Sequence, residues 1–84
     1  MKYKVFLETK ASREFLSLSP DVRLNIQEAI DDLSFHPRPP GVRKLSGMEG
    51  YRLRQGHYRI LFTIDDKIKE IHIYRIGHRR EVYR

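Results

Sequence analysis

Three arginines, Arg52, Arg54 and Arg59, stand in a stretch where charged and apolar residues alternate on both sides of a Gln-Gly-His turn signal. Successive side chains of a strand point to opposite faces, so apolar residues facing a core would leave these arginines together on the other face. The planar guanidinium of arginine binds phosphate through two parallel N–H donors. Solvated surface charge is the simpler interpretation, but clustered like charges repel each other. The pattern therefore favours a phosphate site, where guanidiniums neutralise the charge that grows in a pentacoordinate transition state.

The C-terminal tail supplies a second candidate, Tyr83. It lies among Arg79, Arg80 and Arg84, whose positive field favours the phenolate form of its side chain. A phenolate can accept a proton from a ribose 2′-hydroxyl, and the ring can stack on a base. Packing of a loose C-terminus onto the sheet accounts for this tyrosine equally well, and both interpretations stay open.

The histidines and the remaining acidic residues are weaker candidates for catalysis or metal binding. No metal-ligand spacing relates the four histidines, which are His36, His57, His72 and His78. The chain also has no cysteine, so no metal or other cofactor is expected. His78, beside Arg79, is a candidate acid. Glu81 is a candidate base, although an ion pair with a neighbouring arginine is the favoured interpretation.

The length and the net charge of the chain limit what kind of protein it can be. With 84 residues, 39% of them hydrophobic, the chain predicts a single domain (1–84) with one modest core. Seventeen Lys and Arg against eleven Asp and Glu give a net charge of +6, which favours a polyanionic partner over solubility alone because the arginines concentrate after Arg38. The absence of a signal peptide, of cysteine and of any long apolar run predicts a soluble cytoplasmic protein without a membrane span.

Two helices follow a first strand at residues 2–7. Ala11, Phe15 and Leu18 recur at helical spacing, and Ser19-Pro20-Asp21 is typical of an N-cap followed by a first turn. The apolar stripe of the second helix consists of Val22, Ile26, Ala29, Ile30 and Leu33. Because the residue before a proline is disfavoured in a helix, this helix is expected to end at His36-Pro37, and the two helices to form an antiparallel hairpin.

A long loop, residues 37–50, separates the helices from three strands at 51–54, 58–64 and 68–76, where Gly77 is expected to stop the last one. Helices that precede a run of hairpins indicate an α+β fold. We therefore predict a strand, the helical hairpin and a three-strand antiparallel meander, with both helices on one face of the sheet and the arginines on the other.

Four segments in order resemble the RelE branch of the RelE/ParE toxin superfamily, and the resemblance spans nearly the whole chain. They are Lys44-Leu45-Ser46-Gly47, residues 51–62, Ile64-Asp65-Asp66, and residues 77–83. The resemblance implies a microbial-ribonuclease-like fold and cleavage of mRNA in the ribosomal A site by attack of the 2′-hydroxyl on the adjacent phosphate. It also implies a RelB-like antitoxin partner in a hetero-oligomeric complex, and a prokaryotic cytoplasm.

The same resemblance implies roles for individual residues. Arg52 and Arg54 correspond to basic residues on the substrate backbone, and Arg59 to the arginine on the scissile phosphate. Arg79 corresponds to a second transition-state arginine, and Tyr83 to the tyrosine that stacks on or deprotonates the substrate. Further substrate-binding candidates are Lys44, His78 and Arg80.

The sequence departs from the family in two places. Relatives often have lysine where this chain has Arg52 and Arg54, and an arginine, which keeps its proton, is a poor proton shuttle. Proton transfer is therefore expected to fall to Tyr83, or else to His78 or Glu81. The chain also ends one residue after Tyr83, so the C-terminal helix of some relatives, with its antitoxin contacts, is not expected here.

Three other functions are compatible with this basic domain. A ParE-like toxin of the same fold poisons DNA gyrase and would not need the arginines and Tyr83 together. A non-catalytic module would bind RNA or ribosomes with steep salt dependence and would be indifferent to loss of the Tyr83 hydroxyl. A degraded toxin would keep only its partner-binding surface.

Overall fold

Two helices lie within residues 2–78, the part of the chain that this computed structural model describes. Helix α1 spans Thr9–Leu16 and helix α2 spans Pro20–Phe35. As predicted, α2 has Ser19 at its N-cap position and a proline in its first turn, and it ends just before His36. The apolar stripe of α2 is buried at Ile26, Ile30 and Leu33.

Five strands of the described residues form one mixed sheet in the order β1-β5-β4-β3-β2. Their bounds are β1 Lys4–Leu7, β2 Arg43–Lys44, β3 Tyr51–Gln55, β4 Tyr58–Asp65 and β5 Glu70–His78. The first strand runs parallel to β5, and the other pairs are antiparallel. The predicted α+β class and the β3-β4-β5 meander are confirmed.

The predicted loop and both ends of the last strand were wrong. Short strand β2 lies inside the stretch predicted as a loop, because Arg43 and Lys44 pair with the beginning of β3. The last strand begins at Glu70 rather than Ile68 and continues through Gly77, whose Cα partner is Arg59. A glycine pairs in a ladder through its backbone like any other residue, and here it leaves no side chain beside Arg59.

The core lies between the helices and one face of the sheet. Side chains from both layers are almost fully buried there, and the largest are Ile26, Leu33, Ile60, Phe62, Ile71, Ile73 and Ile76. Tyr51, Tyr58 and Ile64 pack against this cluster while staying partly exposed. The apolar residues of β3 and β4 therefore face the helices as their alternation predicted.

A β-bulge interrupts the pairing of β4 with β5. Phe62 pairs with Ile73 and Leu61 with Arg75, which leaves Tyr74 as the extra residue. Ile73 and Ile76 both enter the core although a regular strand would point them to opposite faces. The bulge therefore turns both Tyr74 and Arg75 toward the face without helices.

An ion pair fastens the start of the long loop to the β4–β5 turn. Arg38 Nη2 lies 2.9 Å from Asp66 Oδ2, and the hydroxyl of Tyr3 donates to Asp66 Oδ1 at 2.6 Å. The Arg38 guanidinium also lies 5.2 Å from the ring centroid of Tyr51. Hydrogen bonds from Arg38 and then Tyr3 lower the pKa of Asp66 from 3.8 to about 2, and Asp66 in turn raises the pKa of Arg38.

We expect Asp66→Asn to lower the melting temperature at neutral pH, because the ionised carboxylate accepts both hydrogen bonds. The folded-state pKa lies below the ordinary value, so the stabilisation is present above pH 3.8 and is lost as the pH falls through about 2. Thermal unfolding of both proteins along this pH series measures the difference. Asp32→Asn, at an exposed position of α2, is the control, and a difference that stayed constant down to the lowest pH would contradict the assignment.

Candidate nucleic-acid interface

Two cross-strand rows of arginines occupy the face of the sheet opposite the helices. In one row, Arg43, Arg52, Leu61 and Arg75 are successive partners across β2, β3, β4 and β5. In the other, Arg54, Arg59 and Gly77 are successive partners across β3, β4 and β5. Neighbouring strands lie about 4.8 Å apart and the two rows about 7 Å apart along the strands, so the guanidiniums converge on one surface. We call the five side chains Arg43, Arg52, Arg54, Arg59 and Arg75 the arginine face.

The arginine face brings like charges together across the strands. Arg54 and Arg59 are direct cross-strand partners, and so are Arg43 and Arg52. Asp65 and Glu70, which share this face by register, pair with each other at the far end beside the β4–β5 turn. Among the described residues of this face, the arginines therefore lie toward the Arg59 end of the sheet and these two acids lie at the other end.

Packing holds part of the arginine face in place. Arg52 and Arg59 are partly buried and Arg54 is exposed, and the Nε atom of Arg59 is fully buried. Leu61 has an exposed fraction of 0% although it lies outside the helix-side core, so the side chains around it cover it completely. A guanidinium whose stem is packed loses less conformational entropy when it binds a phosphate than a free surface side chain loses.

Lys44 and His78 lie on the other side of the sheet from Arg59. The Cα partner of Lys44 is Tyr51, and that of His78 is Tyr58, and both tyrosines pack against the helix-side core. The ring of His78 stacks on His57 at 6.3 Å and meets Tyr58 edge-on at 5.9 Å. Substrate binding by either residue stays a prediction and requires a ligand that reaches around the edge of the sheet.

The remaining predicted site residues, Arg79, Arg80 and Tyr83, lie outside the described residues, as does Glu81. Gly77 and His78 are the last residues described in β5. Gly77 is the cross-strand partner of Arg59, so the described part of the chain ends next to the arginine face. The roles of the four tail residues Arg79, Arg80, Glu81 and Tyr83 therefore stay predictions.

Two members of the arginine face, Arg43 and Arg75, were missed as site residues. Arg43 reaches this face because β2 exists, and nothing in its neighbourhood predicted a strand. Arg75 reaches it through the bulge, and the sequence does carry a signal for this. The core positions Ile71, Ile73 and Ile76 break strict alternation, which indicates an extra residue between Ile73 and Ile76.

Among residues 2–78 no three histidine or acidic side chains gather into a group suited to hold a metal ion. None of the helices described in this chain is long and apolar enough to cross a membrane.

In the described residues, helices cover one side of the sheet and arginines gather on the other, which defines a small α+β domain with one basic face. Residues 7–83 match the family model described as ParE toxin of type II toxin-antitoxin system, parDE. Because this match covers most of the chain, the protein belongs to the RelE/ParE superfamily of type II toxin-antitoxin toxins, as the sequence motifs predicted.

Individual relatives carry RelE-type names. Toxin RelG of Mycobacterium tuberculosis is 36% identical over 88 aligned positions, covering 100% of this chain and 99% of the relative. The toxin-antitoxin complex RelBE2 of Mycobacterium tuberculosis contains a chain with a TM-score of 0.83 and 32% identity, covering 94% of this chain and 100% of that one. The archaeal RelE-RelB complex of Pyrococcus horikoshii OT3 gives a TM-score of 0.83 with 29% identity, over 96% of this chain and 99% of that one.

Proposed function

We propose that this toxin is a ribosome-dependent endoribonuclease that cleaves mRNA in the A site and so stops translation in a prokaryotic cytoplasm. The observation that carries the proposal is the arginine face, where Arg54 and Arg59 are direct cross-strand partners despite their like charge. Two guanidiniums held side by side can both donate hydrogen bonds to one phosphate. The RelE-type relatives support the same assignment.

In the proposed reaction the ribose 2′-oxygen attacks the adjacent phosphorus and the bond from phosphorus to the 5′-oxygen breaks. The products are a 2′,3′-cyclic phosphate and a 5′-hydroxyl. Arg59 holds the scissile phosphate and, with Arg79, stabilises the charge that develops on its equatorial oxygens. Arg52 and Arg54 bind the flanking backbone. Tyr83 accepts the 2′-hydroxyl proton, because arginines keep theirs, and the departing 5′-oxygen takes a proton from water. The reaction requires no metal.

The decisive experiment mixes the toxin with ribosomes programmed with a defined mRNA and maps breaks by primer extension. The matched sample contains a double variant, Arg59→Ala with Tyr83→Phe. Breaks at the A-site codon that disappear with the variant would establish both the activity and its site. If neither protein cuts the mRNA, the proposal fails.

A second candidate, poisoning of DNA gyrase, is favoured by the matching family model, which describes ParE toxins. A supercoiling assay with purified gyrase distinguishes the two activities. Inhibition of gyrase by a protein that leaves programmed ribosomes intact would replace the nuclease assignment. A gyrase poison has no need of paired arginines aimed at a phosphate, which is why the nuclease is preferred.

We also propose that a RelB-like antitoxin binds this chain, as RelB binds RelE in the archaeal complex named above. A groove of about 970 Å³ between β1 and α2 supports this proposal, because apolar side chains such as Val5, Leu7 and Ile30 line it. Strand β1 is an edge strand of the sheet, so its outer backbone groups are available for pairing with a partner strand. Phe35, which is 60% exposed, stands at the same groove.

Phe35→Glu is expected to raise the dissociation constant for a RelB-like antitoxin at least about tenfold, because it places a charge in a buried apolar interface. Titration calorimetry with the separated antitoxin measures the change. Met48→Glu, a similar change at an exposed apolar residue outside the groove, is the control. If the Phe35 variant and wild type bind the antitoxin with equal affinity, the antitoxin does not bind in this groove.

A further inference from the structure

We propose that the stacked rings of Phe6 and His72 form a second antitoxin contact, which receives an aromatic side chain of the antitoxin on the face of the sheet opposite the helices. This inference rests on the proposed binding of a RelB-like antitoxin at strand β1, and it extends that interface from the helix-side groove around the edge of the sheet. Neither residue belongs to the site residues that the sequence predicted. The case depends on the direction of the β1 backbone groups, on the ring stack, and on the charges around it.

Strand β1 has backbone groups that point away from the sheet. The N–H groups of Lys4 and Glu8 donate to backbone carbonyls on the side of β5, each at 2.9 Å. Because successive residues of a strand direct their backbone groups to opposite edges, those of Val5 and Leu7 point outward. Within residues 2–78 no strand lies on that outer edge of β1. An antitoxin strand added there would therefore pair with residues 5 and 7.

The side chain of Phe6 lies on the face of the sheet without helices. Val5 and Leu7 pack against the helix-side core, so Phe6, which stands between them, points the other way. Its Cα partner is His72, and the next partner in the same row is Thr63. The ring centroids of Phe6 and His72 are 5.0 Å apart and the ring planes differ by 18°, as in an offset stack.

This stack is supported on one side and open on the other. The Nε2–H of His72 donates to Oε1 of Glu70 at 2.9 Å, which holds the imidazole in place. His72 covers one face of the Phe6 ring, whereas the opposite face is directed to the outer edge of β1, and Phe6 is 42% exposed. A ring that is already held loses little conformational entropy when a partner stacks on it. The open face therefore fits a flat aromatic side chain.

The charges around the stack favour a polypeptide over RNA. Lys4 and Glu8 stand two positions to either side of Phe6, and Glu70 contacts His72, so these neighbours carry no excess of the positive charge that binds a phosphate backbone. Phe6 also lines the groove of about 970 Å³ that we assign to the antitoxin, which makes the stack continuous with that interface. One antitoxin strand therefore places alternate apolar side chains in the groove and an aromatic side chain between them on Phe6.

The test measures the affinity of the separated RelB-like antitoxin for wild type and three variants by titration calorimetry. Phe6→Leu keeps an apolar side chain but loses the flat ring, and it is expected to raise the dissociation constant at least about fivefold. Phe6→Tyr keeps the ring and should stay within about twofold of wild type. Met48→Leu, at an exposed apolar residue outside the groove, is the matched control and should bind like wild type. Thermal unfolding shows that each variant is folded at the assay temperature.

Hydrogen exchange of the backbone amides gives a second readout. Antitoxin binding should slow exchange at Val5 and Leu7, whose N–H groups point outward. Exchange at Lys4 should change little, because its N–H already donates to a carbonyl on the side of β5. Unchanged exchange at Val5 and Leu7 in the complex would exclude strand pairing at this edge and overturn the inference.

Two further results would overturn the inference while leaving the antitoxin groove in place. One is a Phe6→Leu protein that binds the antitoxin as tightly as wild type while Phe35→Glu binds it more weakly. The other is a Phe6→Leu protein with unchanged antitoxin affinity that cleaves mRNA on programmed ribosomes more slowly, since the stack would then contact RNA. If Phe6→Leu and Phe35→Glu both bind like wild type, the proposed antitoxin groove itself is wrong.

Discussion

Arg59→Ala is expected to lower the rate of mRNA cleavage on programmed ribosomes by at least about 100-fold, corresponding to about 3 kcal/mol of transition-state stabilisation. Arg59 has Gly77 as its partner on β5 and its Nε is buried, so on that side no side chain stands next to its guanidinium. The loss should appear mainly in the maximal rate, because the charge that Arg59 offsets grows in the transition state. Single-turnover cleavage at saturating toxin measures it.

The charge-matched control is Arg13→Ala, which removes one positive charge from an exposed position on α1. It should stay within about threefold of wild type, because screening weakens the effect of an exposed distant charge. Arg59→Lys keeps the charge but loses the planar set of N–H donors of the guanidinium. Its cleavage rate should therefore lie between those of Arg59→Ala and Arg13→Ala. If Arg59→Ala cleaves within a few-fold of the wild-type rate, the assignment of Arg59 to the scissile phosphate is wrong.

Phe62→Ala is expected to lower the free energy of unfolding by about 3–5 kcal/mol, the cost of a large cavity in a well-packed core. Phe62 is fully buried in the central strand β4, and its ring lies 6.0 Å from that of Tyr51. Small domains have a total stability of about 5–15 kcal/mol, so this variant should lose a large share of it. Urea unfolding followed by circular dichroism measures the change.

Phe35→Ala makes the same chemical change at a side chain that is 60% exposed. It should alter the free energy of unfolding by no more than about 0.5 kcal/mol, as is usual for surface positions. Similar losses in the two variants would mean that Phe62 is not the centre of the core.

Much of the arginine face follows from local sequence. Strand alternation placed Arg52, Arg54 and Arg59 on one face, and the structure has the apolar partners Leu53, Ile60 and Phe62 in the core. The register of the strands could not be predicted, because it depends on how strands from different parts of the chain pair. This is why Arg43 was passed over and why Lys44 was grouped with residues that lie on the other side of the sheet.

The sequence by itself determined the start and end of α2, the meander, the basic character of one face and, through its motifs, the toxin family. These features depend on nearest neighbours: a proline after an N-cap serine, a period of two, and turn residues between strands. Only the tertiary structure decided that β1 lies parallel to β5, that a bulge turns Arg75 outward, and that Glu14 meets it. The physical reason is that a side chain's face is set by local backbone geometry, whereas its neighbours are set by pairing and packing over long separations in the chain.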